Sequence, residues 1–200
     1  MLGAVRHGGF IPWDDDMDIY VPHRDFQRFQ EVCLEQLPEW LCLQNKQTDP
    51  QSYVVGGGLV KIRDKNSIVV ESNDTFKVNY QKGIYIDIFE CVNSAKIPDR
   101  IYHYLMRRVS CACWFYCEPR LLNIWNIGRY CLYPFSLAVH YPILRLLMCL
   151  GKKKYCGLTP NRYDTGYQRA EETIYPCKEI EFEGYKFMGP NDPDQYLKRC

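Results

Sequence analysis

Four carboxylates crowd into five positions of the stretch GFIPWDDDMDIYVP, residues 9–22: Asp14, Asp15, Asp16 and Asp18. Like charges this close repel, and each costs free energy to desolvate, so the cluster calls for a cation. From Asp16 to Val21 the residues alternate, with Met17, Ile19 and Val21 on one side and Asp16, Asp18 and Tyr20 on the other. This predicts a strand with an apolar face toward a core and an acidic face toward a cleft. At a rise of ~3.3 Å per residue, Asp16 and Asp18 stand about 7 Å apart. A third carboxylate, Asp87, lies on a second alternating stretch, GIYIDIFEC (83–91). There Ile84, Ile86 and Ile88 share one face, and Tyr85, Asp87 and Phe89 the other. Three converging carboxylates are tolerable around a hard cation, so Asp16, Asp18 and Asp87 predict a site for one or two Mg2+ ions, with Mn2+ as the alternative. Such ions are normally shared with substrate phosphates, and a pair ~3.5–4 Å apart clamps the attacking and leaving oxygens of a phosphoryl transfer. Asp14 and Asp15 precede the strand as outer groups or turn formers. A solvated acidic turn is the plainer alternative, because Asp-x-Asp alone is a weak motif. A calcium loop beginning at Asp14 fails, because it needs Gly where Ile19 stands.

The elements that must hold these residues are legible around them. Pro22 ends the first strand. Phe26, Phe29, Cys33 and Leu37 then recur at helical spacing until Pro38. Gly56-Gly57-Gly58 marks a turn, and LVKIRD (59–64) and SIVVES (67–72) read as strands about Asp64-Lys65-Asn66. From about 99 to 155 the pattern becomes helical and rich in aromatics. Its longest run without Lys, Arg, Asp or Glu, 130–144, is short for a span of roughly 20 residues. Pro134 and Pro142 interrupt it, and a buried or interfacial helical pair is expected there. Lys152-Lys153-Lys154 is a solvated helix end or a contact for lipid headgroups. EIEFEGYKFMGPNDPDQYL (179–197) reads as a hairpin turning at Glu183-Gly184, then a loop and a helix start. The expected class is α+β, in one domain over 1–200.

Composition narrows the function classes. With 46% hydrophobic and 24% charged residues in 200, a real core is expected. A net charge of +1 gives no electrostatic case for nucleic acid or an anionic membrane as a bulk partner. The 11 cysteines show no repeated pair spacing, and the N-terminus has no basic-then-apolar leader pattern. Mostly reduced, buried thiols in the cytosol are therefore expected, not a disulfide framework or a zinc site.

The stretch LGAVRHGGFIPWDDDMDIYVPHRDF resembles the signature of the LicD family of phosphotransferases, which includes the fukutin-related proteins. VKIRD (60–64), GIYIDIFE (83–90) and YPCKEIEFEGYKFMGPNDPDQYLK (175–198) resemble later segments of that family in order. The resemblance implies a nucleotidyltransferase-like mixed sheet with flanking helices, the aromatic-rich region being a helical insertion. It implies transfer of a phosphorylated alcohol such as phosphocholine from a CDP-linked donor to a sugar hydroxyl. The acceptor would be a cell-surface glycan of the lipopolysaccharide or teichoic acid kind. Carried over, Asp16 and Asp18 are the paired metal ligands and Asp87 the third carboxylate, with deprotonation of the acceptor hydroxyl a further role for Asp87. Arg6, Lys61 and Arg63 are candidates for the donor phosphates, with ordinary surface charge as the alternative, and His7 is a substrate-binding candidate beside the motif. Trp13 reads as core or cleft wall; Tyr85 and Phe89 line the cleft or pack under helices. A cytoplasmic location at the inner face of a membrane, with peripheral contact, is expected. The family's Gly-Thr turn, which precedes the segment matched by Met1-Leu2-Gly3, and its Tyr-Gly-Asp-type ending are not in the sequence, so both ends are expected to be clipped.

Two other readings remain open at this point. A metal-dependent glycosyltransferase also uses Asp-x-Asp, but its nucleotide-binding half normally precedes the motif by many tens of residues. A relative that binds nucleotide without turnover would fit the missing Gly-Thr turn.

Overall fold

The computed structural model describes residues 1–13, 16–55, 59–69, 79–117, 124–158 and 167–198. A short helix α1 (Leu2–Arg6) precedes strand β1 (Asp18–Pro22) and helix α2 (His23–Gln36). Strand β2 (Leu41–Gln44), helix α3 (Pro50–Val55), strand β3 (Val60–Asp64) and the long strand β4 (Tyr85–Ser94) follow. Helices α4 (Asp99–Cys117) and α5 (Ile124–Cys149) come next. Strands β5 (Tyr155–Leu158) and β6 (Arg169–Ala170), helix α6 (Glu171–Ile174), strands β7 (Lys178–Phe182) and β8 (Tyr185–Gly189), and helix α7 (Pro193–Leu197) complete the described chain.

The result is a mixed α+β architecture. Six strands form one sheet in the order β2-β3-β4-β5-β6, and β1 joins it by pairing with β4. The β1–β4 pairing is parallel; the others are antiparallel. Strand β4 is therefore the hub, in register with β1, β3 and β5. The hairpin β7–β8 makes a separate two-stranded sheet.

Period-two alternation sorts the sheet's two faces. Val21, Leu43, Val60 and Ile88 are buried with Cys33 of α2, and Phe26, Phe29 and Leu37 pack against them. This is the helix stripe expected from spacing, laid on the apolar face of β1. A second cluster joins Tyr102, Leu105, Met106 and Val109 of α4 to Leu144 and Met148 of α5. Gln168 ties this helical layer to the sheet: its amide accepts from the Ile97 N–H (2.8 Å) and donates to Ser94 Oγ (2.6 Å) and the Ala95 carbonyl (2.8 Å). All three bonds are buried, where an unmade one would cost most.

Several sequence expectations shift. Strand β1 begins at Asp18, so Asp16 lies just ahead of it. Residues 67–69 are not strand, and 70–72 of the expected second strand, like the Gly56-Gly57-Gly58 turn, lie outside the described residues. Pro134 and Pro142 do not break the helix, since both sit inside α5. Nor is that helix mainly buried: Leu132, Phe135, Leu146 and others face outward. Its stretch Ile127–Cys149 is long and apolar enough to cross a membrane by length and composition. The described cysteines are free, as expected, yet Cys111, Cys131 and Cys149 are exposed rather than buried.

One close approach fixes how the helical layer meets the sheet. A Cβ on Gly157 of β5 would lie 2.5 Å from the Tyr102 hydroxyl, in the core. Gly157→Ala should therefore cost about 1–3 kcal/mol as overpacking. Tyr102→Phe in the same chain should recover part of that loss, so the two effects fall short of additive. Urea unfolding of the three variants measures it.

Candidate functional site

The parallel pairing of β1 with β4 puts Asp18 in register with Asp87. Register partners on adjacent strands project to the same face and stand ~4.8 Å apart. On that face Tyr20 stacks on Phe89, ring centroids 5.4 Å apart. On the other side of β4, Lys61 of β3 is in register with Asp87. Its Nζ lies 2.6 Å from Asp87 Oδ1, with both side chains largely buried. That oxygen is buried without a well-aligned hydrogen bond, so its compensation is the ionic attraction of Lys61. Lys61 Nζ also sits 3.6 Å above the Tyr85 ring.

Arg63, one strand residue pair further, is 3% exposed and turned inward. Its Nε donates to Gln44 Oε1 (2.6 Å), its Nη1 to the Gly83 carbonyl (2.7 Å), and it stacks over Tyr85. Gln44 in turn accepts from Ser52 Oγ and donates to the Gln81 carbonyl. Arg63 therefore clamps β2, β3 and the approach to β4 together.

A cavity of about 630 Å³ opens beside the acidic strand. Asp16, Asp18 and Tyr20 line one side, Arg169 and Tyr196 another, and apolar residues of α1 and the hairpin close the rest. An apolar pocket with a few convergent polar groups is the usual form of a small-molecule site. Arg169 stacks its guanidinium 4.0 Å from the Tyr196 ring centroid. Burial pushes the Tyr20 hydroxyl far above the ordinary phenol value, helped by Tyr196 and the negative charge of Asp18 and opposed by Arg169. Tyr20 therefore stays protonated and can donate a hydrogen bond. Cys156 also lines the cavity; burial, then Glu171, pushes its thiol up to about 11, so it is no nucleophile near neutrality.

The cavity wall depends on a latch between distant parts of the chain. Phe10 N–H donates to Glu183 Oε1 (2.8 Å), and Glu183 N–H donates to the Gly8 carbonyl (2.9 Å). Phe10 packs edge-on against Phe182. A Cβ on Gly9 would lie 2.1 Å from Glu183 Oε1 and push that carboxylate off the latch, and Gly8 has φ +71°, which favours glycine at this turn.

The sequence candidates divide clearly. Asp16 and Asp18 line the cavity, and Asp87 stands next to Asp18 in the sheet. Asp87 itself, like Arg6, His7, Lys61 and Arg63, is not in the lining. Arg6 pairs with Asp194 at 2.5 Å on the surface, a contact worth little by itself. Lys61 and Arg63 are spent on internal contacts. Trp13 is 78% exposed, neither core nor cleft wall, and Asp14 and Asp15 lie outside the described residues. Arg169 and Tyr196 were not singled out: Arg169 stands in no motif, Tyr196 lies in the 175–198 segment with no role read for it there, and only the fold brings them beside Tyr20.

The donor chemistry of Asp16 and Asp18 suits a hard divalent cation, and the buried Asp87 Oδ1 has the charge to join them. Lys61 already offsets that charge, however. Among the described residues no group of three or more His, Cys, Asp or Glu side chains is gathered as a ready metal site.

Comparison with known proteins now adds the family. A family model described as "LicD/FKTN/FKRP, nucleotidyltransferase domain" matches residues 1–108. The chain belongs to the LicD family. It is 30% identical to the lipopolysaccharide cholinephosphotransferase LicD of Haemophilus influenzae, over 98% of this chain and 76% of that protein. It is also 42% identical over 57 residues to an uncharacterized protein, RT0683, of Rickettsia typhi, covering 28% of this chain and 17% of that one. No solved structure matches it.

Removing Lys61 should expose its structural role. Lys61→Met strands a largely buried carboxylate, which costs about 3–5 kcal/mol. Adding Asp87→Leu should return most of that stability, as read by urea unfolding of the single and double variants.

Proposed function

We propose that this LicD-family chain is a phosphotransferase that moves a phosphorylated alcohol, phosphocholine-like, from a CDP-linked donor to a sugar hydroxyl of a glycan. The reading rests on family membership together with one observation: the Asp18–Asp87 register beside a cavity that Asp16 and Asp18 line. The cholinephosphotransferase similarity suggests the cargo, and lipopolysaccharide the class of acceptor. In this reading the sheet is nucleotidyltransferase-like, and the reaction takes place at the cytoplasmic side of a membrane.

Asp16 and Asp18 would hold Mg2+, with Asp87 as the third carboxylate. The ion would neutralise the donor's pyrophosphate and the charge that builds on its leaving oxygen. The chain's own residues account for the remainder. Arg169, fixed against Tyr196 at the cavity wall, offers a preorganised cation to phosphoryl oxygens. The protonated Tyr20 hydroxyl offers a hydrogen bond beside it. Lys61 holds the Asp87 carboxylate in place through their ion pair. The aromatic and aliphatic wall from α1 and the hairpin excludes water and suits the apolar methyl groups of a quaternary ammonium cargo.

Two measurements test this. Calorimetric titration with CDP-choline should give binding that requires magnesium and is lost in Asp16→Ala. Asp16→Ala and Asp18→Ala should each lower transfer at least a hundredfold with the fold intact by circular dichroism. A normal rate in either variant sinks the metal assignment. Preference for a sugar nucleotide over CDP-linked donors would favour a glycosyltransferase, and binding without turnover a nucleotide-binding relative.

A further inference from the structure

The outward face of α5 has no role in the cavity. Leu132, Phe135, Leu146 and Leu150 are each more than half exposed, and Ile143 is 42% exposed. At about 100° per residue these positions, with Pro142, form one stripe roughly 100° wide. The opposite side, carrying Leu144, Met148 and Leu137, packs on α4. A stripe of five large side chains on the surface needs a partner.

Charge selects that partner. Residues 124–158 contain Arg129, Arg145, Lys152, Lys153 and Lys154 and no Asp or Glu. The remaining chain holds 20 basic and 24 acidic residues, so the cations gather where the apolar stripe lies. Arg129, Arg145 and all three lysines are exposed, as are Arg107 and Arg108 on the neighbouring α4. A second copy of this chain, pairing stripe to stripe, would bring five cations against five. An anionic lipid surface takes both features at once.

Helix α5 is long enough to cross a bilayer, yet one face is fixed to α4 and its last turn is tied to the sheet by Ala95 N–H donating to the Met148 carbonyl (2.9 Å). Crossing would carry the exposed Arg107 and Arg108 of α4 into hydrocarbon with it, at heavy cost. We propose that α5 lies in the membrane interface, its Leu132–Phe135–Leu146 stripe among acyl chains and its lysines on anionic headgroups. Strand β5 follows the lysines directly and lines the cavity through Cys156, Gly157 and Leu158, so docking brings the cavity close to the lipid surface. The inference stands on the helix alone and does not need the catalytic reading.

Flotation of the full chain with vesicles tests it. Vesicles of phosphatidylcholine with about a third phosphatidylglycerol should carry the protein; pure phosphatidylcholine should carry far less, and added salt should weaken the binding. Replacing Lys152, Lys153 and Lys154 together by Gln should weaken binding about a hundredfold, at the energy expected for each cation near an anionic surface. Phe135→Glu with Leu146→Glu, both at exposed positions, should abolish it while circular dichroism and any magnesium-dependent nucleotide binding remain unchanged. Failure to float with anionic vesicles overturns the proposal. So does binding indifferent to the two glutamates, or a concentration-dependent dimer that those glutamates dissolve.

Discussion

An ionised carboxylate on the central strand of a sheet has to be compensated from a neighbouring strand or from outside the protein. In this chain the Lys61–Asp87 pair supplies that compensation. Register makes it available: β3 brings Lys61 to one edge of Asp87 and β1 brings Asp18 to the other. The apolar residues between them, Val21, Val60 and Ile88, pack on α2 and hold the register, because a slip by one residue would turn every carboxylate into the core. The carboxylate arrangement and the core packing are thus two faces of the same strands.

The cavity is built differently. Its acidic side comes from β1 and the residues just before it; Arg169 and Tyr196 arrive from β6 and α7, and the apolar wall from α1, β5 and the hairpin. Each contributes a different quantity: charge from the aspartates, a preoriented cation from Arg169, low dielectric from the wall. Arg63 sets the frame from outside, joining β2, β3 and Gly83 through buried hydrogen bonds.

Much of this frame is readable from residue order. The period-two patterns at 16–21 and 83–91 mark the strands and the faces of Asp18 and Asp87, and the stripe Phe26–Phe29–Cys33–Leu37 marks α2. The hairpin turn at Glu183-Gly184 is equally local. Lys61 and Arg63 mislead because charge in a strand reads as exposed, whereas a long basic side chain can be buried once a carboxylate, an aromatic ring or a Gln meets it. Pro134 and Pro142 mislead because a proline tells against a helix locally, while packing of Leu144 and Met148 on α4 favours the helix through it. Arg169 is not readable at all, and Tyr196, though inside the 175–198 segment, carries no local sign that it faces the cavity, since the groups they meet are far away along the chain.

The latch between Phe10 and Glu183 joins groups 173 residues apart. Closing so long a loop must wait until the sheet between them has formed, for the entropy of bringing the ends together is offset only by contacts already made. The cavity wall accordingly draws its order from the sheet rather than from its own sequence. By the same ordering it is among the first parts to open when the fold loosens, because the hairpin that closes it is a two-stranded sheet outside the main one. The protein can lose its binding wall while its strands, its carboxylates and its helical layer stay in place.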